Sequence, residues 1–517
     1  MNKEVLIKKV KDNALIIIMI FAFIIRFYYF SVTINQPLWW DEAEYMSAAK
    51  SYAGIVDYQL SSQRLPGFPW FVSLFYRVGI NSEMFLRFLI NFIPSMLVIL
   101  LVYLTVNEMY GKKNAIISTL IITVLWEHLF YSNRFHTENL ALLFQLFATF
   151  IFFRSYLKKK NSWIISPKFS LFVFVICAGI SVLFRPGNII AIPAFLLFFI
   201  LVNQSKILKR IGLILLITIP LLIGIIYMAS LPQSGLLNYL NLQNPIAWNS
   251  IHIFQSFYPA FNSIPSVLFY CFIYGLMACL VGIVLSYEKL KLQNDDSKLK
   301  FKSDVFCILV LISVLAFFMF IIRSSSYEVR WYFPLLIGML PLTSMGLIKI
   351  VSEIARLFKY PSQKGIYLAI FLLLSLGMYS QLYYADAIIK MKVDSYLPIK
   401  QAGEWLKENS NPGDIIISSS VTQHTYYSER KIIEYYIDGG HNETLFHEKM
   451  EKIKPRYLIV SIFEPVFTPA WAFQYPATHN DTWNPVMAFY IDKETFYVDN
   501  QLTLIIYERK TNSSLLP

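Results

Sequence analysis

Residues 14–45 read ALIIIMIFAFIIRFYYFSVTINQPLWWDEAEY, an apolar run from 14 to 33 that gives way to Asp41, Glu42 and Glu44 behind two tryptophans. A bilayer core takes roughly 20 apolar residues per helix, so this run is long enough to cross it. The acidic stretch then lies at a membrane face. No small-residue cleavage site follows Arg26-Phe27-Tyr28-Tyr29-Phe30, so the run is retained as a first span and not removed as a signal.

Runs of the same kind recur near 86–107, 114–131, 138–153, 169–184, 188–202, 211–229, 264–286, 304–322, 331–348 and 366–385, eleven in all. The expected fold is an all-α polytopic membrane bundle of about 11 transmembrane helices with an α/β domain at its C-terminal end. The composition agrees: of 517 residues 56% are hydrophobic and 15% charged, against about 25% charged in ordinary soluble proteins.

The net charge of +12 has to be located before it is interpreted. Residues 386–517 carry 13 Lys and Arg against 17 Asp and Glu, whereas residues 1–385 carry 32 against 16. Short loops rich in Lys and Arg stay cytoplasmic. With the N-terminus inside, segments 1–12, 108–114, 154–168, 203–210, 287–303 and 349–365 hold 23 of those 32. Most of the basic charge therefore sets topology and calls for no nucleic acid. An odd number of spans puts the tail outside, so residues 1–385 read as the membrane domain, with a first external loop near 34–85, and 386–517 as an extracytoplasmic domain. The plasma membrane is the expected location.

In the tail, Ile399–Asn409 reads as an amphipathic helix, Asn411–Asp414 as a turn, Ile415–Ser419 as a buried strand and Ile432–Tyr436 as another. A helix at Glu443–Ile453 and strands at Tyr457–Ile462 and Leu502–Tyr507 complete an α/β layer. Residues 464–485 form an irregular insertion whose Phe467, Trp471, Phe473, Tyr475 and Trp483 suit either interfacial anchoring or stacking on a sugar. All four cysteines, Cys177, Cys271, Cys279 and Cys307, fall in apolar runs, which excludes a disulfide framework in the tail.

Ionisable groups near membrane segments are costly and point to function. Here they gather at the outer ends of the spans: Asp41, Glu42 and Glu44 after the first; Arg64 in a proline-rich stretch before the second; Arg134, His136 and Glu138 in the turn before the fourth. Arg185 follows the fifth span, and Tyr327, Arg330 and Tyr332 open a late one. Asp41 with Glu44 also fits a helix-capping box, and both readings stand. His136 with Glu138 makes two ligands, short of a metal site.

These features resemble the GT-C superfamily of integral-membrane glycosyltransferases, in the branch of the protein O-mannosyltransferases and the aminoarabinose transferase. The resemblance rests on the Asp41-Glu42 pair in the first external loop, the Pro66–Pro69 stretch, Glu138 at the start of the fourth span and Arg185-Pro186-Gly187. It rests further on Arg330-Trp331-Tyr332-Phe333-Pro334 and the external tail. It implies transfer of a hexose or pentose from a polyprenyl- or dolichyl-phosphate carrier to a glycan, protein or lipid acceptor on the outer face, with inversion.

An attacking hydroxyl needs a base, and Asp41 matches the family's position for it. Guanidinium forks suit a phosphate leaving group: Arg64, Arg134, Arg185 and Arg330, with Tyr327 and Tyr332 as hydrogen-bond partners. Glu42, Glu44, His136 and Glu138 are the acidic or acceptor-side candidates. Where some relatives carry a lysine beside paired prolines, this chain has Arg64 and Pro66-Gly67-Phe68-Pro69. No cofactor is implied, and a divalent metal is allowed without being required. The competing expectation is a flippase for lipid-linked sugars, a class that places its charges near mid-membrane.

Overall fold

The computed structural model describes residues 13–62, 64–160, 166–202, 250–260, 266–287, 295–317, 328–357, 362–435, 448, 450, 452–464 and 490–510. The chain divides into two compact units, one of residues 1–33, 62–65 and 87–390, the other of 34–61, 66–86 and 391–517.

The first unit is helical. Its elements are α1 (Ala14–Thr33), then, after α2 (Trp40–Tyr52) and α3 (Gly67–Arg77) of the second unit, α4 (Glu83–Tyr110), α5 (Lys112–Val124), α6 (Trp126–Tyr131) and α7 (Glu138–Leu157). There follow α8 (Ser170–Phe184), α9 (Ala191–Val202), α10 (Ser250–Phe257), α11 (Val267–Tyr287), α12 (Asp295–Phe317), α13 (Val329–Leu357) and α14 (Gln363–Lys392). Among the described residues six helices, α1, α4, α7, α11, α13 and α14, are long and apolar enough to cross a membrane. Ten of the eleven expected runs fall wholly or largely on helices; the run at 211–229 lies outside the described residues. One expected run is not continuous. Leu125 leaves the helical region, with φ −58° and ψ 118°, and splits 114–131 into α5 and α6.

Helices in lipid gain little from the hydrophobic effect and associate through close packing of small residues. The pair α11 and α13 shows this: a Cβ added to Gly275 would overlap the Leu342 carbonyl, and one added to Gly346 would overlap the Cys271 carbonyl. Only glycine allows backbones to approach so closely. The four cysteines are free and buried.

The second unit contains α2, α3, α15 (Leu397–Asn409), α16 (Val421–Ser428) and a five-stranded sheet. Its strands are β1 (Ile416–Ile417), β2 (Ile432–Ile433), β3 (Tyr457–Ser461), β4 (Tyr490–Val498) and β5 (Gln501–Arg509), in the order β2-β1-β3-β5-β4. The first three are parallel and the last two antiparallel, so β3 is where the pattern switches. Alternation separates two apolar faces: Ile417, Leu458, Val460 and Ile505 on one, Ile416, Ile459, Leu504 and Ile506 on the other, where α15 packs with Ile399, Ala402 and Leu406.

The expected strands 415–419 and 432–436 shrink to two-residue ladders, because Ser418–Ser420 leave the sheet and lead into α16. Helix α16 and strand β4 are additional to the sequence reading. The sequence of α16, VTQHTYYS, is rich in β-branched and aromatic residues with poor helix propensity, and packing holds it. Most of the helix expected at 443–453 and of the insertion at 464–485 lies outside the described residues.

Candidate functional site

In the first unit, the turn between α6 and α7 is the centre of a buried polar cluster. His136 is 2% exposed and Glu138, which opens α7, is 2% exposed. Arg185 ends α8 in an extended conformation, φ −140° and ψ 108°, set by the following Pro186, and its Nη1 donates to Glu138 Oε1. Arg330 lies in the 3-10 turn that opens α13. Its Nη1 is 2.7 Å from His136 Nδ1, its Nε is 3.7 Å from Glu138 Oε1, and it pairs with Glu328. Tyr131 packs its ring 5.3 Å from the His136 ring and under the Arg330 guanidinium, and Arg134 lies over Phe130.

Burial first, and then the charges of Arg330, Arg134, Arg64 and Arg185, hold the His136 imidazole well below its usual range. His136 is therefore neutral at pH 7 and accepts the Arg330 hydrogen bond. The same facts describe the site's electrostatics: the charges of four guanidinium groups reach one imidazole, and of these Arg185 pairs with Glu138 and Arg330 with Glu138 and Glu328. Guanidinium forks suit anions with several oxygens. Tyr332 is buried in the helical core. Tyr327 lies outside the described residues.

Two further arginines, not among the assigned candidates, support this region. Arg87 is fully buried on α4; its Nη1 donates to the Asn133 carbonyl at 2.6 Å, and it lies over Phe135, so it holds the turn that carries His136. Arg26 is fully buried on α1, with Nη1 donating to the Thr123 carbonyl at 2.8 Å and Nη2 2.7 Å from His128 Nδ1. The available signal was a charge inside an apolar span, which is rare without a role.

In the second unit, Asp41 lies in the first turn of α2 and is half-buried. Trp39 is the N-cap, and Glu42 closes the helix start by accepting the Trp39 N–H at 2.9 Å. This corrects the capping expectation: Glu42 caps, in place of Asp41 with Glu44. Glu44 accepts the Ser61 N–H at 3.2 Å and fastens the loop. The body of α2 is fixed to α16, with Ser47 Oγ donating to the Thr422 carbonyl at 2.9 Å and Lys50 Nζ to the Tyr426 carbonyl at 2.9 Å and to Glu429 at 2.8 Å. Among the described residues no group of three or more His, Cys, Asp or Glu is arranged to hold a metal ion.

Residues 63–228 match the family model described as dolichyl-phosphate-mannose-protein mannosyltransferase. No curated protein matches the chain in sequence. Among solved structures, the AglB oligosaccharyltransferase of Archaeoglobus fulgidus, in complex with an inhibitory peptide and a dolichol-phosphate, is similar with a TM-score of 0.58 and 14% identity, over 98% of this chain and 75% of that one. Its apo form gives 0.57 and 14%, over 86% and 69%. ArnT of Cupriavidus metallidurans, bound to undecaprenyl phosphate, gives 0.56 and 9%, over 96% and 98%.

The class is thereby defined: the chain has the fold of the GT-C glycosyltransferases, and the resemblance read from its motifs is borne out. It is an integral membrane protein whose family match and structural neighbours are glycosyltransferases.

Proposed function

We propose that the protein transfers a hexose or pentose from a polyprenyl- or dolichyl-phosphate carrier to an acceptor outside the cytoplasm, inverting the anomeric carbon. In this reading the N-terminus is cytoplasmic, about eleven spans precede residue 386, and the active site and tail are extracytoplasmic. Asp41 takes the proton of the attacking hydroxyl. Arg64, Arg134, Arg185 and Arg330 stabilise the charge that develops on the lipid phosphate, with Tyr327 and Tyr332 as further hydrogen-bond donors.

The observation that carries the reading is the convergence of four arginine charges on the buried His136, with Glu138 tying Arg185 and Arg330 together. A fixed array of donors costs no reorganisation when the phosphate leaves, which is the usual source of large rate effects. Two solved neighbours are bound to lipid phosphates of this chemical class. Glu42 and Glu44 serve the helix and loop that carry Asp41, and Glu138 and His136 serve the arginines. The acceptor is a glycan, protein or lipid hydroxyl.

The test is transfer by the purified protein in lipid nanodiscs, supplied with radiolabelled polyprenyl-phosphate sugars and candidate acceptors. Asp41→Asn is expected to abolish transfer while leaving the melting temperature unchanged. Undiminished transfer by a folded Asp41→Asn protein overturns the role of Asp41. Movement of the lipid-linked sugar across the bilayer without a new glycosidic bond overturns the reaction in favour of a flippase.

A further inference from the structure

Glu127 lies in α6, the six-residue helix that begins where Leu125 breaks the apolar run. Its side chain is fully buried, and neither carboxyl oxygen has a hydrogen-bond partner among the described residues. Folded proteins pair nearly all their buried polar atoms, and an ionisable group in an apolar run points to a function. The helix is held so that it cannot turn to relieve the carboxyl. The Trp126 N–H donates to Gln381 Oε1 at 3.1 Å, its indole N–H donates to the Ser256 carbonyl at 2.8 Å, and its ring meets Tyr384 edge-on at 4.8 Å. The neighbouring donors are engaged elsewhere: the Gln381 amide donates to the Phe257 carbonyl at 3.2 Å, and His128 Nδ1 lies 2.7 Å from Arg26 Nη2.

Helix geometry fixes the side that Glu127 faces. Side chains four apart on a helix share a face, with about 5–6 Å between their Cβ atoms, so Glu127 lies one turn from Tyr131 on the same side of α6. Contacts identify that side. The Tyr131 ring is 5.3 Å from the His136 ring, 6.0 Å from the Phe333 ring and 5.8 Å from the Arg330 guanidinium. The unpartnered carboxyl therefore borders the arginine cluster, with one aromatic ring between them.

We propose that Glu127 binds hydroxyl groups of the sugar that the lipid phosphate carries, and so determines which sugar the protein accepts. This rests on the reading of the arginines as the phosphate site. In the donor the phosphate is joined directly to the anomeric carbon, so groups that hold the phosphate have the sugar ring beside them. The guanidinium groups suit the phosphate and offer nothing that accepts from a hydroxyl. A carboxyl supplies that acceptor, and its two oxygens take two hydroxyls at once. Such a group also discriminates: a sugar without the matching hydroxyl leaves the buried carboxyl unpaired, which is the condition under which polar sites reject an analogue most strongly.

The test is equilibrium binding to the full chain in nanodiscs, without acceptor, of a short-chain polyprenyl phosphate that is bare or carries mannose, glucose, galactose, arabinose or an amino sugar. Wild type is expected to bind at least one hydroxyl-bearing probe about 10- to 100-fold more tightly than the bare phosphate, the range for hydrogen bonds to a charged group. Glu127→Met is expected to lose that preference while its affinity for the bare phosphate stays within twofold. Removing the matching hydroxyl from the sugar should weaken wild type and leave Glu127→Met unaffected. The variant should also melt at a higher temperature than wild type in the absence of donor, because it removes an unpaired buried group; a lower melting temperature marks a structural role and overturns the proposal. If Glu127→Met does not fold, Glu127→Gln decides by the same comparison. A preference for the sugar that survives the substitution overturns the role of Glu127, and a preference confined to the amino sugar overturns hydroxyl recognition in favour of an ammonium. Failure of wild type to bind the bare phosphate overturns instead the reading of the arginines, and is told apart by that arm alone.

Discussion

Arg330 and His136 are 2.7 Å apart, a guanidinium donating into a neutral imidazole nitrogen although 194 residues separate them in sequence. The bond joins the 3-10 turn of α13 to the loop before α7, and it aims Arg330 at Glu138 as well. A histidine here acts as an acceptor that orients an arginine, a task lysine cannot share because its ammonium lacks the planar fork.

Arg330→Lys is therefore expected to lower transfer about 100-fold, and Arg330→Ala by about 100- to 1,000-fold, the range for losing a fixed donor to a developing oxyanion. Initial rates at saturating donor measure this. A rate within twofold of wild type for Arg330→Ala removes the residue from the leaving-group role.

Arg87 acts one step back, through the Asn133 carbonyl and the Phe135 ring. Arg87→Met should cost about 1.5–3 kcal/mol, as for a hydrogen bond to a charged group, and should lower melting temperature and transfer together. A variant that keeps its melting temperature and loses activity alone contradicts this supporting role.

His424 makes stability depend on pH. It is fully buried, its Nδ1 lies 2.7 Å from Ser418 Oγ, and burial lowers its pKa to about 3. The unfolded histidine takes its proton near pH 6.5, so the unfolded chain binds more protons below that value. The stabilising contribution is complete above about pH 6.5 and is lost progressively as pH falls toward 3. Melting curves between pH 7 and pH 4 should show wild type losing stability faster than His424→Gln; parallel curves contradict the assignment.

Gly275 and Gly346 test the crossing of α11 and α13. Either glycine replaced by alanine forces a methyl group against backbone carbonyl oxygen, an overpacking cost of about 1–3 kcal/mol. The double substitution should abolish the monodisperse peak in detergent. Gly282→Ala, where the nearest atoms are side-chain ends at 3.7 Å and beyond, is the control and should behave as wild type.

Much of this molecule was legible in its sequence because lipid imposes strict demands: apolar length for the helices, and a reason for every charge near them. The arginines at 134, 185 and 330 sit at the ends of apolar runs, and the structure gathers them around His136. The capping of α2 was misread because Asp41-Glu44 and Trp39-Glu42 have the same three-residue spacing, and only the backbone at Trp39 decides between them. Helix α16 carried no local signal, because tertiary packing holds it against weak propensity.

The attachment of α2 to α16 has a consequence for synthesis. Ser47 reaches the Thr422 carbonyl across 375 residues, and ribosomes add about 5–20 residues per second. The helix bearing Asp41 emerges early and then waits about 20–75 s for the segment on which it will rest. Throughout that interval the first loop lacks its support, so a chain stopped before residue 422 is made without the segment on which α2 rests.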